Sequence, residues 1–287
     1  MAIIQDSKKR SLGGSIMIAV TKTFKESYTD VRGHLLPWVR VAFTPFILYL
    51  IGVISMGIGF YLSGGVASIM EQGTFQQTMG QVSASVRFLD FTYHVLYMLS
   101  IVVWYINGFR YAALGEGGDK WWTLSLDKRL VKMFLYQLLI IVLFAVYGAV
   151  AAGITVGSYF LIENVFLTTL IGILFGLGLF YLIGRLALVF FNVATDKTNA
   201  LRTSWHVMKG NVLRLIGLFI LIWLAVIGLV IVGGVIIFLS AALLGFVNAM
   251  LGYLTFALAI PFTLFVWLVA IAMTMKAIAL VNKQLAK

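Results

Sequence analysis

Six stretches of the chain are each apolar over about 20 residues or more, the length that a helix needs to cross the hydrocarbon core of a bilayer. They cover residues 41–62, 89–109, 133–157, 166–191, 212–240 and 250–280. Only 11% of the residues are charged, whereas a soluble domain has about 25%. The sequence therefore predicts an integral membrane protein, and it excludes a soluble enzyme and a disordered chain.

The basic residues are distributed unevenly along the chain. Apart from Arg87 and Arg185, every Lys and Arg lies before the first stretch, in the second connection, in the fourth connection or just after it at Arg214, or near the end of the sixth stretch. Cytoplasmic segments of membrane proteins carry an excess of Lys and Arg. We therefore expect both termini on the cytoplasmic side of the membrane. This topology and attraction to anionic lipid head groups explain the net charge of +11 without a nucleic-acid partner.

The predicted fold is all-α, a polytopic membrane protein of six transmembrane helices arranged as three antiparallel hairpins. The third and fifth connections are short enough to pair span 3 with span 4 and span 5 with span 6, and spans 1 and 2 form the remaining pair. Residues 1–38 are expected to form a cytoplasmic segment with an interfacial helix, and residues 39–287 the transmembrane domain. Pro261 predicts a kink in the sixth span, because proline lacks a backbone donor and clashes with the preceding turn.

Two segments that precede spans resemble each other. Residues 24–36 (FKESYTDVRGHLL) align without gaps with residues 201–213 (LRTSWHVMKGNVL). In both copies apolar or aromatic residues recur at i, i+4 and i+7, on one helical face that suits the membrane interface. These residues are Phe24, Tyr28 and Val31 in the first copy and Leu201, Trp205 and Met208 in the second. We expect each copy to form a short amphipathic helix that ends at a glycine, Gly33 or Gly210.

Seven basic residues are candidates for contact with lipid head groups or with a partner protein. Four flank the apolar faces of the two repeat copies and can extend toward phosphates: Lys25, Arg32, Arg202 and Lys209. Three fall near the cytoplasmic ends of the even-numbered spans: Arg110, Arg185 and Lys276. These three either anchor each helix at its depth in the membrane or converge on a lipid phosphate or an acidic partner.

The outer end of the second span carries a polar cluster of Arg87, Asp90 and His94. Asp90 and His94 lie one helical turn apart, and they form either a hydrogen-bonded surface cluster or a protonatable gate. The chain has no cysteine, and its three histidines lie in separate segments without the spacing of zinc ligands. We expect no metal, no cofactor and no enzymatic activity.

Two runs resemble segments of a known group of proteins. FRYAALGE (109–116) and GRLALVFFNVATDKTNALRTSWHVMKGNVLRLIG (184–217) are similar to segments of an uncharacterised alphaproteobacterial family of six-helix integral membrane proteins, itself distantly similar to the membrane domain of glycerophosphodiester phosphodiesterases. The matching positions are Arg110, Leu114, Gly115, Glu116, Arg185, Ser204, Trp205, Lys209, Gly210 and Asn211. The chain has Phe191 and Asn192 where a proline is expected after the fourth span. The resemblance implies a protein of the cytoplasmic membrane and brings no established activity.

These observations predict a non-enzymatic accessory, assembly or lipid-organising protein of the inner membrane. Its expected partners are anionic lipid head groups on the cytoplasmic side, together with a membrane protein or a second copy of the chain. The alternative is a permease or channel-like protein for a small neutral or lipidic substrate. Pseudo-repeats and glycine-rich spans favour that alternative, and the lack of ionisable residues near the middle of the predicted spans disfavours it.

Overall fold

The computed structural model describes residues 17–62, 84–124 and 127–286. Within these ranges the chain forms α-helices and no β-strand, so the predicted all-α class is confirmed. The helices are α1 (Val20–Gly33), α2 (Leu35–Leu62), α3 (Ala84–Leu114), α4 (Lys128–Ile162), α5 (Val165–Leu186), α6 (Val189–Ala194), α7 (Ala200–Val207), α8 (Val212–Val247), α9 (Ala249–Ala257) and α10 (Ala259–Leu285). The beginning of the predicted 1–38 segment and most of the first outer connection lie outside the described residues.

Among the described residues, six helical segments are long and apolar enough to cross a membrane, and each overlaps one predicted span. They are Leu35–Leu62, Ala84–Leu114, Lys128–Leu161, Val165–Ala194, Val212–Val247 and Ala249–Leu285. The prediction of six membrane-spanning helices is therefore confirmed by length and composition. Each segment extends past its apolar stretch at one end or both, because a helix satisfies its own backbone whether or not its side chains are apolar.

The sixth segment is interrupted at Leu258, between α9 and α10. The interruption lies three residues before Pro261, which has no N–H to donate to the carbonyl of Ala257, the last residue of α9. Helical hydrogen bonding resumes where Phe262 N donates to Leu258 O at 3.1 Å. Pro261 thus sits in the first turn of a new helix, which is the predicted kink.

The chain divides into two compact units. One consists of the residues up to Leu35 together with those from Leu135 onward, and the other of Leu36–Phe134. In the second unit α2 packs against α3, and Ser55 Oγ donates a hydrogen bond to Leu89 O at 2.9 Å. A Cβ atom at Gly52 would lie 3.4 Å from Cδ2 of Tyr93 on α3, so the two helices are also in close contact at this position. Small residues permit such close helix contacts within membranes.

In the first unit α8 contacts α1, α5, α9 and α10. The buried side chains of α8 and α10 form much of its core, and they include Leu215, Leu218, Ile222, Met273, Met275 and Val281. Tyr147 on α4 donates a hydrogen bond from its hydroxyl to Phe175 O on α5 at 2.6 Å. The contacts of this unit therefore connect helices that are distant in sequence.

Many large apolar side chains of the membrane-spanning helices are exposed. Leu161 is 87% exposed and Phe166 is 75% exposed. Soluble monomers rarely expose contiguous apolar patches larger than a few hundred Å². Lipid chains cover such side chains when the helices span a membrane.

Gly184, near the end of α5, provides a test of the contact between α5 and α8. A Cβ atom at this position would lie 2.5 Å from Cγ1 of Val212. We expect Gly184→Ala to lower the midpoint of thermal unfolding of the protein in nanodiscs, since overpacking typically costs about 1–3 kcal/mol. Combining it with Val212→Ala should restore part of the loss.

Gly176 is the matched control on the same helix, because nothing lies within 4 Å of a Cβ there. Gly176→Ala should leave the midpoint unchanged or raise it, since alanine favours a helix over glycine by about 1 kcal/mol. Equal midpoints for Gly184→Ala and Gly176→Ala would contradict the described contact between α5 and α8.

Candidate functional site

The two short helices α1 and α7, which contain most of the two repeat copies, bury corresponding positions. The buried residues are Thr23, Ser27 and Val31 in the first copy and Ala200, Ser204 and Met208 in the second. Thr23 and Ala200 each lie one residue before the aligned segment. Of the residues on the predicted apolar faces, Val31 and Met208 are buried within the protein. Tyr28 is 45% exposed and Trp205 is 40% exposed. Small side chains, at Thr23 and Ser27 for example, let the helix backbone approach its neighbours closely.

The two copies also lead into their spans at corresponding positions, Leu35 for α2 and Val212 for α8. The helix α1 ends at Gly33 as predicted. The helix α7 ends earlier, at Val207, and a turn follows it. In this turn Gly210 has a φ of +79°, a conformation that glycine adopts readily and other residues rarely.

Polar contacts hold the start of α1 against α8 and α10. Ile18 N donates to Asn211 Oδ1 at 3.1 Å, and Ala19 N donates to Gln284 Oε1 at 3.1 Å. Gln284 Nε2 in turn donates to Thr23 Oγ1 at 2.9 Å. The backbone N–H groups of Ile18 and Ala19, which have no helical partner, are thus satisfied by side chains that are distant in the chain.

Ser204 holds α7 against the break between α5 and α6. Its hydroxyl donates to Arg185 O at 2.7 Å and accepts a hydrogen bond from Leu188 N at 3.2 Å. Asn192 Nδ2 on α6 also donates to Ala200 O at 3.3 Å. Sequence reasoning did not identify Ser27 or Ser204 as contact residues, although their identity in the two aligned copies was a usable signal.

Arg185 is buried, with 7% of its surface exposed. Its Nε donates to the Tyr181 hydroxyl at 2.8 Å, and its Nη1 donates to Trp205 O at 2.6 Å. The guanidinium also lies over both aromatic rings, 5.1 Å from the Tyr181 centroid and 5.0 Å from the Trp205 centroid. Arg185 therefore connects α5 to α7 within the protein, through hydrogen bonds and cation–π contacts.

The other two basic residues predicted near the ends of even-numbered spans each have a carboxylate partner. Lys276 Nζ lies 2.9 Å from Asp30 Oδ1, which ties α10 to α1. In the second unit Arg110 Nε donates to Glu116 Oε2 at 2.8 Å. Each of the three basic residues thus has a separate partner within the protein. Sequence reasoning identified these cations but not their carboxylate partners. Asp30, for example, is far from Lys276 in the chain.

The predicted outer cluster lies on the exposed first half of α3. His94 Nδ1 is 3.6 Å from Asp90 Oδ2 and also within hydrogen-bond distance of Asp90 O, at 2.8 Å. Arg87 lies one turn before Asp90 on the same helix and is exposed. Among the described residues no group of three or more His, Asp or Glu side chains is arranged to hold a metal ion.

One more basic residue, Lys197, joins the connection after α6 to α10. Its Nζ donates to Asn282 Oδ1 at 2.9 Å and lies 5.6 Å from the centre of the Phe191 ring. Partial burial lowers the pKa of Lys197, because an ammonium loses hydration there. It serves as a structural contact between two segments.

The remaining predicted residues, Lys25, Arg32, Arg202 and Lys209, are exposed. None of these four side chains forms an ion pair with another residue in the described part of the chain. Their charges are therefore available to molecules outside the protein.

Replacing Arg185 tests its role as the connection between α5 and α7. Arg185→Lys keeps the positive charge but loses the planar group that donates to Tyr181 and Trp205. We expect it to cost about 2–4 kcal/mol and to lower the unfolding midpoint in nanodiscs. Arg202→Lys is the matched control on the exposed side of α7 and should leave the midpoint unchanged. Equal midpoints for the two variants would contradict this role.

No protein-family model, no curated protein and no solved structure matches this chain. Its resemblance to six-helix membrane proteins stays a prediction. The function is therefore inferred from the protein's own side chains.

Proposed function

We propose that this protein is a non-enzymatic, multi-pass protein of the bacterial inner membrane that organises anionic lipids at the cytoplasmic surface. The exposed sides of α1 and α7 bind the lipid head groups. The same surfaces also suit an acidic segment of a membrane-protein partner.

The observation that carries this proposal is the matched exposed pattern of the two repeat copies. Each copy presents a basic residue, an aromatic residue three positions later and a second basic residue four positions after that. The residues are Lys25, Tyr28 and Arg32 in the first copy and Arg202, Trp205 and Lys209 in the second. Aromatic side chains with one polar atom favour the membrane interface, and flanking cations attract anionic head groups.

The burial of the opposite side supports this arrangement. Ser27 and Ser204 are fully buried, so each short segment has one side fixed by the protein and the other available. An amphipathic helix that lies on a membrane needs such a fixed orientation to keep its cations at the level of the phosphates.

The proposed topology places both termini in the cytoplasm and pairs the six spans as three antiparallel hairpins. The distribution of basic residues supports this orientation. With an even number of spans, the basic segments before α2, between α3 and α4, between α6 and α8 and at the end of α10 all lie on one side.

Charge reversal tests the lipid proposal. In the variant Lys25→Glu, Arg32→Glu, Arg202→Glu, Lys209→Glu we expect the preference for phosphatidylglycerol over phosphatidylcholine to fall several-fold, because each basic residue near an anionic surface contributes about 1 kcal/mol. The measurement is the relative association of spin-labelled lipids with the protein reconstituted in vesicles.

Lys22→Glu is the control, since Lys22 is also exposed on α1 but lies 3.9 Å from Glu26. It should retain most of the preference. An unchanged preference in the fourfold variant would refute the proposed head-group binding. Lipid-independent flux of a small solute in the same vesicles would support a permease instead.

The topology is testable because the chain contains no cysteine, so single cysteines can be labelled without background. Val165→Cys, at the first residue of α5, should react with a membrane-impermeant maleimide in intact spheroplasts. Thr198→Cys and Lys283→Cys should react only after the membrane is permeabilised. The reverse pattern would contradict the orientation, and labelling of Thr198→Cys and Lys283→Cys on opposite sides would contradict the hairpins.

A further inference from the structure

The segment that follows α3 folds back onto α2 and α3, within the second unit. Gly115 and Gly117 have φ angles of +74° and +85°, which turn the chain after the end of the helix. Thr123 N donates to Thr44 Oγ1 on α2 at 2.9 Å, and Asn107 Nδ2 on α3 donates to Thr123 Oγ1 at 2.7 Å. The segment is therefore attached to both helices.

Residues 115–124, the end of α3 and the start of α4 line an open cavity of about 680 Å³. The volume is in the range of small-molecule binding sites, roughly 300–1,000 Å³. Its lining includes three basic and two acidic side chains and an amide: Arg110, Lys120, Arg129, Glu116, Asp119 and Asn107. Both signs of charge thus face one space at the end of a membrane-spanning helix.

The five charged side chains of the lining differ in whether they pair with another residue of the described chain. Arg110 pairs with Glu116, and Arg129 Nη1 lies 3.1 Å from Asp127 Oδ2. Asp119 and Lys120, by contrast, form no ion pair with any residue that the structure describes. The cavity therefore contains one carboxylate and one ammonium that remain available to a ligand.

We infer that this cavity binds a phosphoethanolamine group, with its phosphate at Lys120 and Arg129 and its primary amine at Asp119. Cationic side chains hold phosphate oxygens by charge-assisted hydrogen bonds, and an ammonium donates similar bonds to a carboxylate. A purely anionic head group such as phosphoglycerol would face the carboxylates without a compensating cation. A choline group has no N–H to donate to Asp119.

The chemistry alone fits either a phospholipid head group or a free phosphoethanolamine compound. The position favours the lipid, because the cavity lies at the end of α3, where the apolar stretch of residues 89–109 finishes. Trp122 also lines the cavity and is 54% exposed, and tryptophan favours the level of the head groups. This site shares no residue with the exposed sides of α1 and α7.

Native mass spectrometry of the full chain in detergent tests the inference. Phosphatidylethanolamine, phosphatidylcholine and phosphatidylglycerol with identical acyl chains are added separately at equal concentration. We expect the first phosphatidylethanolamine to bind about tenfold more tightly than phosphatidylcholine. Asp119→Asn combined with Lys120→Gln should remove this difference. Lys22→Gln combined with Glu26→Gln, which removes an exposed charge pair outside the cavity, should retain it.

Equal binding of the three lipids by the unmodified protein would overturn the inference, and so would an unchanged preference in the cavity variant. A preference for phosphatidylglycerol that the fourfold charge reversal abolishes would support the lipid proposal for α1 and α7 and overturn the one for the cavity. A further measurement adds free phosphoethanolamine as a competitor at a concentration equal to that of the lipid. Displacement of the bound lipid would support the site with a soluble ligand, and failure to displace it would support the lipid.

Discussion

The hydrocarbon interior of a bilayer offers no hydrogen-bond partner to the backbone, so each segment that crosses it must be helical. This constraint concentrates the specific polar contacts of the protein at the helix ends. Asn211 and Gln284 hold the start of α1 there, and Ser204 bridges the break between α5 and α6. These contacts fix the helices that present the exposed cations of the candidate site, such as Lys25 on α1 and Arg202 on α7.

The spans were predictable because apolar length is a local property of the sequence. The ends of the spans were less predictable. Arg40 precedes the beginning of the first apolar stretch, yet α2 begins five residues earlier, at Leu35. The Arg40 guanidinium lies 5.5 Å from the Trp121 ring, and its Nη1 is 3.5 Å from Gly118 O. A charged side chain that finds such contacts does not need to leave the helix. Pro261, whose effect on the backbone is local, was placed correctly.

The site was only partly predictable, because its geometry depends on contacts between distant residues. The apolar faces of α1 and α7 predicted contact with the membrane interface, but the burial of Ser27 and Ser204 depends on neighbouring helices. Arg185 was correctly identified as notable, but its enclosure requires Trp205 from another helix. The cavity beside α3 likewise depends on Thr44, which lies 79 residues before Thr123. Neither periodicity nor composition contains such information.

The attachment of α1 determines when this part of the protein can be completed during synthesis. Ala19 and its acceptor Gln284 are 265 residues apart, and ribosomes add roughly 5–20 residues per second. The first helix therefore waits on the order of tens of seconds before α10 is synthesised. During this interval Thr23 lacks its hydrogen-bond partner Gln284. The final docking step is thus a maturation event that follows insertion of the sixth membrane-spanning segment.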